Sequence, residues 1–187
     1  MKRRLLLHHC CGPCSPEVIS RFGESYAIES FWFNPNIQPA EEKALREAAL
    51  LALAVSSGLP VSFGPEYPES EWLEKARSAG ADRCGFCYYL RLKETAKAAR
   101  AGGLECFSTT LLSSPYQKHE LIKETAFKIA EEEKVNFIYE DFRPHFYEGK
   151  QKAREMGLYL QKYCGCIFSK QERESQKKRK PVKGFDK

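Results

Sequence analysis

The sequence predicts the α/β class, a parallel sheet covered by helices on both faces. Three observations lead there. Short apolar runs alternate with amphipathic stretches in β-α-β-α order. The first two runs end on turn residues, Gly12-Pro13 and Asn34-Pro35-Asn36. Helical spacing of apolar residues is clear between two of the runs, over Glu41 to Ser57.

The elements follow in order. Arg4 to His8 reads as a first strand, stopped by Gly12-Pro13, and Ser15-Pro16 then suits a helix start running to about Phe22. Tyr26 to Phe33 is a second strand, ended by Asn34-Pro35-Asn36. Glu41 to Ser57 is a helix, because Leu45, Ala48, Ala49, Ala52 and Leu53 recur at its period and Gly58 suits its C-terminal cap. Pro60 to Phe63 is a short third strand and Glu69 to Ala79 a helix. Cys84 to Ala101 is a further helix, closed by Gly102-Gly103, and Glu105 to Thr109 a fourth strand. Ser114 to Lys134 reads as one long helix with Ile122, Ala126 and Ile129 on one face. Asn136 to Glu140 is a fifth strand. Beyond it the chain is helical or irregular, with Cys164-Gly165-Cys166 before a last polar helix.

In such sheets ligands sit beyond the carboxyl ends of the strands, where strand order reverses. Cys10–Cys14, Asn34–Asn36 and Thr109–Ser114 each follow a predicted strand, so topology gathers them on one rim.

The 187 residues suffice for one sizeable core. With 42% hydrophobic and 29% charged residues, wholesale disorder is excluded. No apolar run approaches the roughly 20 residues that span a bilayer. The basic start carries only three leucines, too short for an export signal. The expectation is a cytoplasmic protein that does not engage the membrane. The formal charge of +5 is uneven: residues 1–169 hold 22 basic and 22 acidic side chains, residues 170–187 hold 8 and 3. This suggests a catalytic domain over 1–169 and a basic tail over 170–187. The tail is either a solvated terminus or an electrostatic handle for phosphates.

Eight cysteines are present, and seven fall in three tight groups: Cys10-Cys11-x-x-Cys14, Cys84-x-x-Cys87 and Cys164-x-Cys166. A reducing compartment does not favour disulfide staples. Tight spacing lets thiolates converge on one point, as metal sites require. Cys106 stands alone and reads as a packed strand residue. Cys11-Gly12-Pro13-Cys14 between a strand and a helix has the local pattern of a thioredoxin-like dithiol. That reading leaves five clustered cysteines unexplained and gives the motif no preceding β-α unit. Cys84/Cys87 with Cys11/Cys14 has the spacing of a zinc staple, which would make the chain a zinc-held RNA-binding module. Iron–sulfur clusters use the same four-thiolate set, and spacing alone leaves zinc and iron–sulfur open. Cys164-Gly165-Cys166 is either a strained redox-active pair or a source of metal ligands.

Five segments in register resemble one family: His8-His9-Cys10-Cys11-Gly12-Pro13-Cys14; Asn34-Pro35-Asn36-Ile37; Arg83-Cys84-Gly85-Phe86-Cys87-Tyr88 with Arg91-Leu92; Thr109-Thr110-Leu111-Leu112 with Ser114-Pro115-Tyr116; and Tyr163-Cys164-Gly165-Cys166. They are similar to the QueH epoxyqueuosine reductases over about residues 5–169. The resemblance implies a cytoplasmic enzyme of tRNA processing that completes queuosine biosynthesis by reducing epoxyqueuosine at the wobble position. It implies a Rossmann-like sheet resembling the adenine nucleotide alpha hydrolase-like fold, an iron–sulfur cluster (4Fe-4S), an additional iron ion, and an electron donor that the sequence does not identify. ATP-using tRNA enzymes of that fold carry a serine–glycine phosphate loop where His9 to Cys14 stand. One glycine and a proline make a poor phosphate cradle.

On this reading Cys10, Cys11, Cys84 and Cys87 hold the cluster. Cys14, with Cys164 or Cys166, serves as ligand to a second iron or as redox thiol. Asn34, Asn36, Arg91, Thr109, Thr110, Ser114 and Tyr116 are the candidate substrate contacts. Tyr88 and Tyr116 are candidates for stacking on loop bases, with core packing the simpler alternative. His8 and His9 fit structural roles better than proton donation.

Overall fold

The computed structural model describes residues 2–179, and part of the basic tail, 180–187, lies outside the described residues. Five strands form one parallel sheet in the order β3-β2-β1-β4-β5. They are β1 (Arg3–His8), β2 (Tyr26–Trp32), β3 (Val61–Phe63), β4 (Cys106–Thr109) and β5 (Asn136–Phe137). β1 is central, pairing Leu5 with Ile28 on one side and with Cys106 on the other. The chain builds outward from β1 through β2 to β3, then returns to build β4 and β5 on the other flank. Strand order therefore reverses between β1 and β4, and ligands of such sheets bind at that crevice.

The crossovers are α1 (Ser15–Ser25), α2 (Ala40–Ser57), α3 (Glu69–Ser78), α4 (Arg83–Ala101) and α5 (His119–Glu133), followed by α6 (Phe146–Glu155) and α7 (Ile167–Arg179). Because parallel crossovers are right-handed, the change of direction at β1 sends α1 and α2 to one face and α4 and α5 to the other. Leu53 of α2, Ala153 of α6 and Leu158 form a cluster on the first face, with Ile19 of α1 against it. Leu92, Ala96 and Ala99 of α4 pack with Ile122, Ala126 and Ile129 of α5 beside the strand residues Leu5, Leu7 and Phe107. These helices are held by their apolar stripes more than by caps, since α1 to α6 show no side-chain cap hydrogen bond.

Two expectations are corrected. The long helix predicted from Ser114 starts at His119. Ser114-Pro115 has the look of a cap and first turn, but the chain spends Thr110–Ser113 on a 3-10 turn and residues 114–118 on a bend that brings Gln117 to the site. The fifth strand is two residues long, Asn136–Phe137, because Ile138 makes one more bond to Phe107 and the chain then leaves the sheet. The polar helix α7 crosses the composition boundary at residues 169/170. No helix of the described residues is long and apolar enough to cross a membrane.

Candidate metal centre

The loop from His9 to Cys14 runs from the end of β1 to the start of α1, beside the turn that follows β4. Cys14 is the residue at the N-terminal cap of α1. Ser15 pins the loop by donating to the Cys11 carbonyl at 2.8 Å and pairing with His9 Nδ1 at 2.8 Å. The three segments expected on one rim do meet. Asn34 donates to the His9 carbonyl at 2.9 Å, and the Cys10 amide donates to Thr110 Oγ1 at 3.2 Å.

This loop brings the sulfurs of Cys10, Cys11 and Cys14 within 4.8 Å of one another, all three buried. Hydrogen bonds from the Cys11 and Cys14 thiols, with help from the Arg91 guanidinium, hold the Cys10 thiol well below its ordinary range. The same contacts push Cys11 and Cys14 up. The trio therefore shares one negative charge readily and resists more without a cation. A dithiol-exchange enzyme needs an accessible, acidic first cysteine. Cys11 is 1% exposed and pushed the other way, which argues against the thioredoxin-like alternative.

Arg91 sits in the middle of the sulfur groups. Its Nη1 lies 3.9 Å from Cys87 Sγ and its Nη2 donates to Asn34 Oδ1 at 2.7 Å. It is 1% exposed, and among the described residues no carboxylate pairs with it. A buried guanidinium without an anion costs several kcal/mol, so its counter-charge has to be thiolate. Of the sulfurs facing it, Cys10 is the one held below its ordinary range, with Arg91 among the causes, while burial pushes Cys164 up. Burial pushes Cys87 up to about 12. This donor set, soft sulfurs around a fixed positive charge, suits an anionic thiolate–metal group and not a bare dication.

A cavity of about 490 Å³ opens on the trio and is lined by Cys10, Cys11, Cys14, Cys164, Gln117 and Gln161 among others. Two glutamines address sulfurs: Gln161 Nε2 donates to Cys11 at 2.8 Å and Gln117 Nε2 to Cys164 at 3.4 Å. Cys84 is half-buried, while Cys87 packs with Trp72 and Ala76 against Cys166 and Phe168. No disulfide joins any of the eight cysteines. Cys106 is the strand residue expected, its thiol turned to the Arg4 carbonyl.

The loop carrying Cys164 is fastened by residues the sequence did not flag. Buried Arg46 of α2 donates to the carbonyls of Cys164 and Tyr163, both at 3.0 Å, and pairs with Glu42. Gln38 N bonds the Gly165 carbonyl at 2.9 Å. Gly165 has φ +135°, and a Cβ there would lie 3.1 Å from Asn36 Nδ2 and 3.3 Å from Arg46 Nη1. Only glycine fits this close approach.

Of the candidate substrate contacts, Ser114 and Tyr116 line the cavity. Asn34, Asn36, Arg91, Thr109 and Thr110 are buried. Asn34, Thr109 and Thr110 spend their polar atoms on the chain itself, with Thr109 bonding His8 Nδ1 at 2.9 Å. Both amide atoms of Asn36 lack a partner among the described residues. Tyr88 is a core residue whose hydroxyl donates to Gln117 Oε1 at 2.6 Å. His8 and His9 are fully buried, and that burial lowers them to about 3 and about 4. They stand as neutral structural imidazoles.

The family model described as epoxyqueuosine reductase QueH matches residues 5–172. A protein of that name from Dehalococcoides mccartyi is 34% identical, over 92% of this chain and 96% of its own. One from Thermotoga maritima is 36% identical, over 90% of this chain and 91% of its own. One from Acinetobacter baylyi is 30% identical, over 89% and 80%. The matched span takes in the sheet from Leu5 onward and all seven grouped cysteines, and the chain belongs to the QueH family of epoxyqueuosine reductases.

Proposed function

We propose that this oxidoreductase converts epoxyqueuosine in tRNA to queuosine, with an iron–sulfur cluster at the Cys10–Cys14 loop. The single observation that carries the reading is three buried sulfurs converging at the switch-point crevice beside a buried guanidinium that has no carboxylate partner among the described residues. Acting on tRNA places the work in the cytoplasm.

The reaction breaks both carbon–oxygen bonds of the epoxide and forms a carbon–carbon double bond. It takes up two electrons and two protons and releases water. Cys10, Cys11, Cys84 and Cys87 would hold a 4Fe-4S cluster, with Cys14, and Cys164 or Cys166, as ligands to an additional iron or as redox thiols. Such a centre would supply electrons and a Lewis acid for the epoxide oxygen. The electron donor lies outside this chain.

The chain's own residues do the rest. Gln161 and Gln117 donate hydrogen bonds to Cys11 and Cys164, withdrawing electron density from the sulfurs. Arg91 fixes the positive charge that keeps an anionic centre in place. His8 and His9 are neutral at physiological pH, so neither delivers a proton as imidazolium. Lys150 lines the same cavity as Ser114 and Gln117 and would be the group that delivers a proton there.

Anaerobic turnover of epoxyqueuosine-containing tRNA, followed by mass analysis of the nucleosides, tests the reading. Loss of one oxygen mass from the modified nucleoside is expected. An iron-replete protein that leaves the epoxide intact with a low-potential reductant rules it out. Iron per chain in single serine variants tests the ligand set. Cluster loss is expected from Cys84→Ser and Cys87→Ser. Full retention in both, with loss in Cys14→Ser, would move the cluster onto Cys10, Cys11 and Cys14.

A further inference from the structure

Three aromatic rings stand in a row at the mouth of the cavity. Tyr116 meets Phe146 edge-to-face with ring centroids 5.8 Å apart, and Phe146 meets Tyr147 edge-to-face at 5.4 Å. Phe146 is half-buried and rooted against the main core. The outer two are not core residues: Tyr116 is 80% exposed and Tyr147 71%. Large aromatic side chains held this far into solvent on a shared half-buried anchor form a contiguous surface, unlike a lone exposed leucine. Tyr116 and Phe146 themselves line the cavity, so the row is continuous with the space where the proposed reaction occurs.

The charges around this mouth have one dominant sign. Lys150 lies one turn along α6 from Phe146 and Tyr147, and Lys150, Lys162 and Arg173 line the cavity against one acidic residue, Glu172, while Arg46 in its wall is buried and paired with Glu42. Glu172 is itself paired with Arg83. Aromatic faces flanked by cations are how proteins hold unstacked single-stranded RNA: the rings take the bases and the cations take the phosphates. A protein partner would be served equally well by aliphatic side chains, and a lipid surface would not need edge-to-face rings that keep their faces free.

We propose that Tyr116, Phe146 and Tyr147 form a stacking rail for the unpaired bases next to the reacting nucleoside, holding the RNA loop open while that nucleoside enters the cavity. Phe146 is the anchor; Tyr116 and Tyr147 offer the faces. The rail rests on the proposed tRNA function but is separable from it by experiment.

The test measures binding of a fluorescently labelled, unmodified anticodon stem–loop RNA to the full chain, alongside conversion of epoxyqueuosine-containing tRNA by the wild type. Tyr116→Ala and Tyr147→Ala are each expected to raise the Kd about tenfold, the usual loss for one stacked base. Tyr116→Phe and Tyr147→Phe are expected to bind as the wild type, since a phenyl face stacks as well. Lys162→Ala should flatten the dependence of log Kd on log salt by about 0.7, one phosphate contact on a single strand. Thermal unfolding of the alanine variants should match the wild type, because both side chains are largely in solvent. If the wild type converts tRNA and Tyr116→Ala with Tyr147→Ala together leave the Kd unchanged, the rail is rejected and the reductase reading stands. If the wild type neither binds the stem–loop nor converts tRNA, both fall.

Discussion

At the residue scale the proposed chemistry turns on Arg91, which the sequence offered only as a substrate contact. The structure buries it between Cys87 and Asn34, with the charge of Cys10 and Cys164 also acting on it. Replacing it by glutamine removes the counter-ion but keeps a hydrogen-bond donor. Arg91→Gln is therefore expected to lower iron retention per chain and to move the midpoint potential of the reconstituted protein to more negative values, since net charge sets such potentials. Potentiometry followed by electron paramagnetic resonance reads both. Gly165 is the second decisive residue. Gly165→Ala forces a Cβ against Asn36 and Arg46 in a backbone region alanine avoids. A cost of about 1–3 kcal/mol is expected in urea unfolding, along with faster labelling of Cys164 by a thiol reagent. Arg46 escaped the sequence reading because Glu42 and Arg46 at i,i+4 have the spacing of any solvated helix pair. Nothing local shows that the guanidinium reaches the carbonyls of Tyr163 and Cys164, more than a hundred residues on. Gln161 was hidden for the same reason.

At the element scale, the fastening of α6 to α1 has its own pH signature. Glu17 is buried and takes Arg21 at 2.7 Å and Lys152 at 2.5 Å. Burial pushes its carboxyl up, but the hydrogen bonds from Lys152 and Arg21 outweigh burial and hold it below the usual range. A carboxyl with a depressed folded pKa stabilises above its unfolded pKa and loses that contribution as the pH falls through the folded one. Glu17→Gln should therefore cost about 1–3 kcal/mol at neutral pH, and the gap from wild type should close in acid below pH ~4. Urea midpoints across that range measure it; a gap independent of pH would mean the loss is one of packing. The strands and most helices were legible because their apolar periodicity survives in local sequence. The start of α5 was not. Ser114-Pro115 satisfies local rules for a helix start, whereas the bend over 114–118 is imposed by contacts of Gln117 with Tyr88 and Cys164.

At the scale of the whole molecule, the site is a property of strand order. Cysteine spacing announced that sulfurs cluster, and β-α alternation announced a parallel sheet. Only the reversal at β1 says where they meet. Linkage follows: a group bound by the folded state alone stabilises it by mass action. Loading the centre to about 100-fold excess over its dissociation constant should add about 2.7 kcal/mol. For a domain of this size that raises the Tm by roughly 5–10 °C. Calorimetry on anaerobic loaded and chelator-stripped samples checks this, and equal Tm values would place the bound iron on the unfolded chain as well.

The loop held by Arg46 and Gly165 has a consequence for biogenesis. Cys10, Cys11 and Cys14 leave the ribosome with the first strand, while Cys164 follows all five strands. A growing chain thus carries three converging thiols through most of its synthesis, with the cavity wall formed by residues 160–164 still missing. Any delivery of iron that depended on Cys164 would wait until that residue has emerged, and until then the early sulfurs would lack their cavity wall.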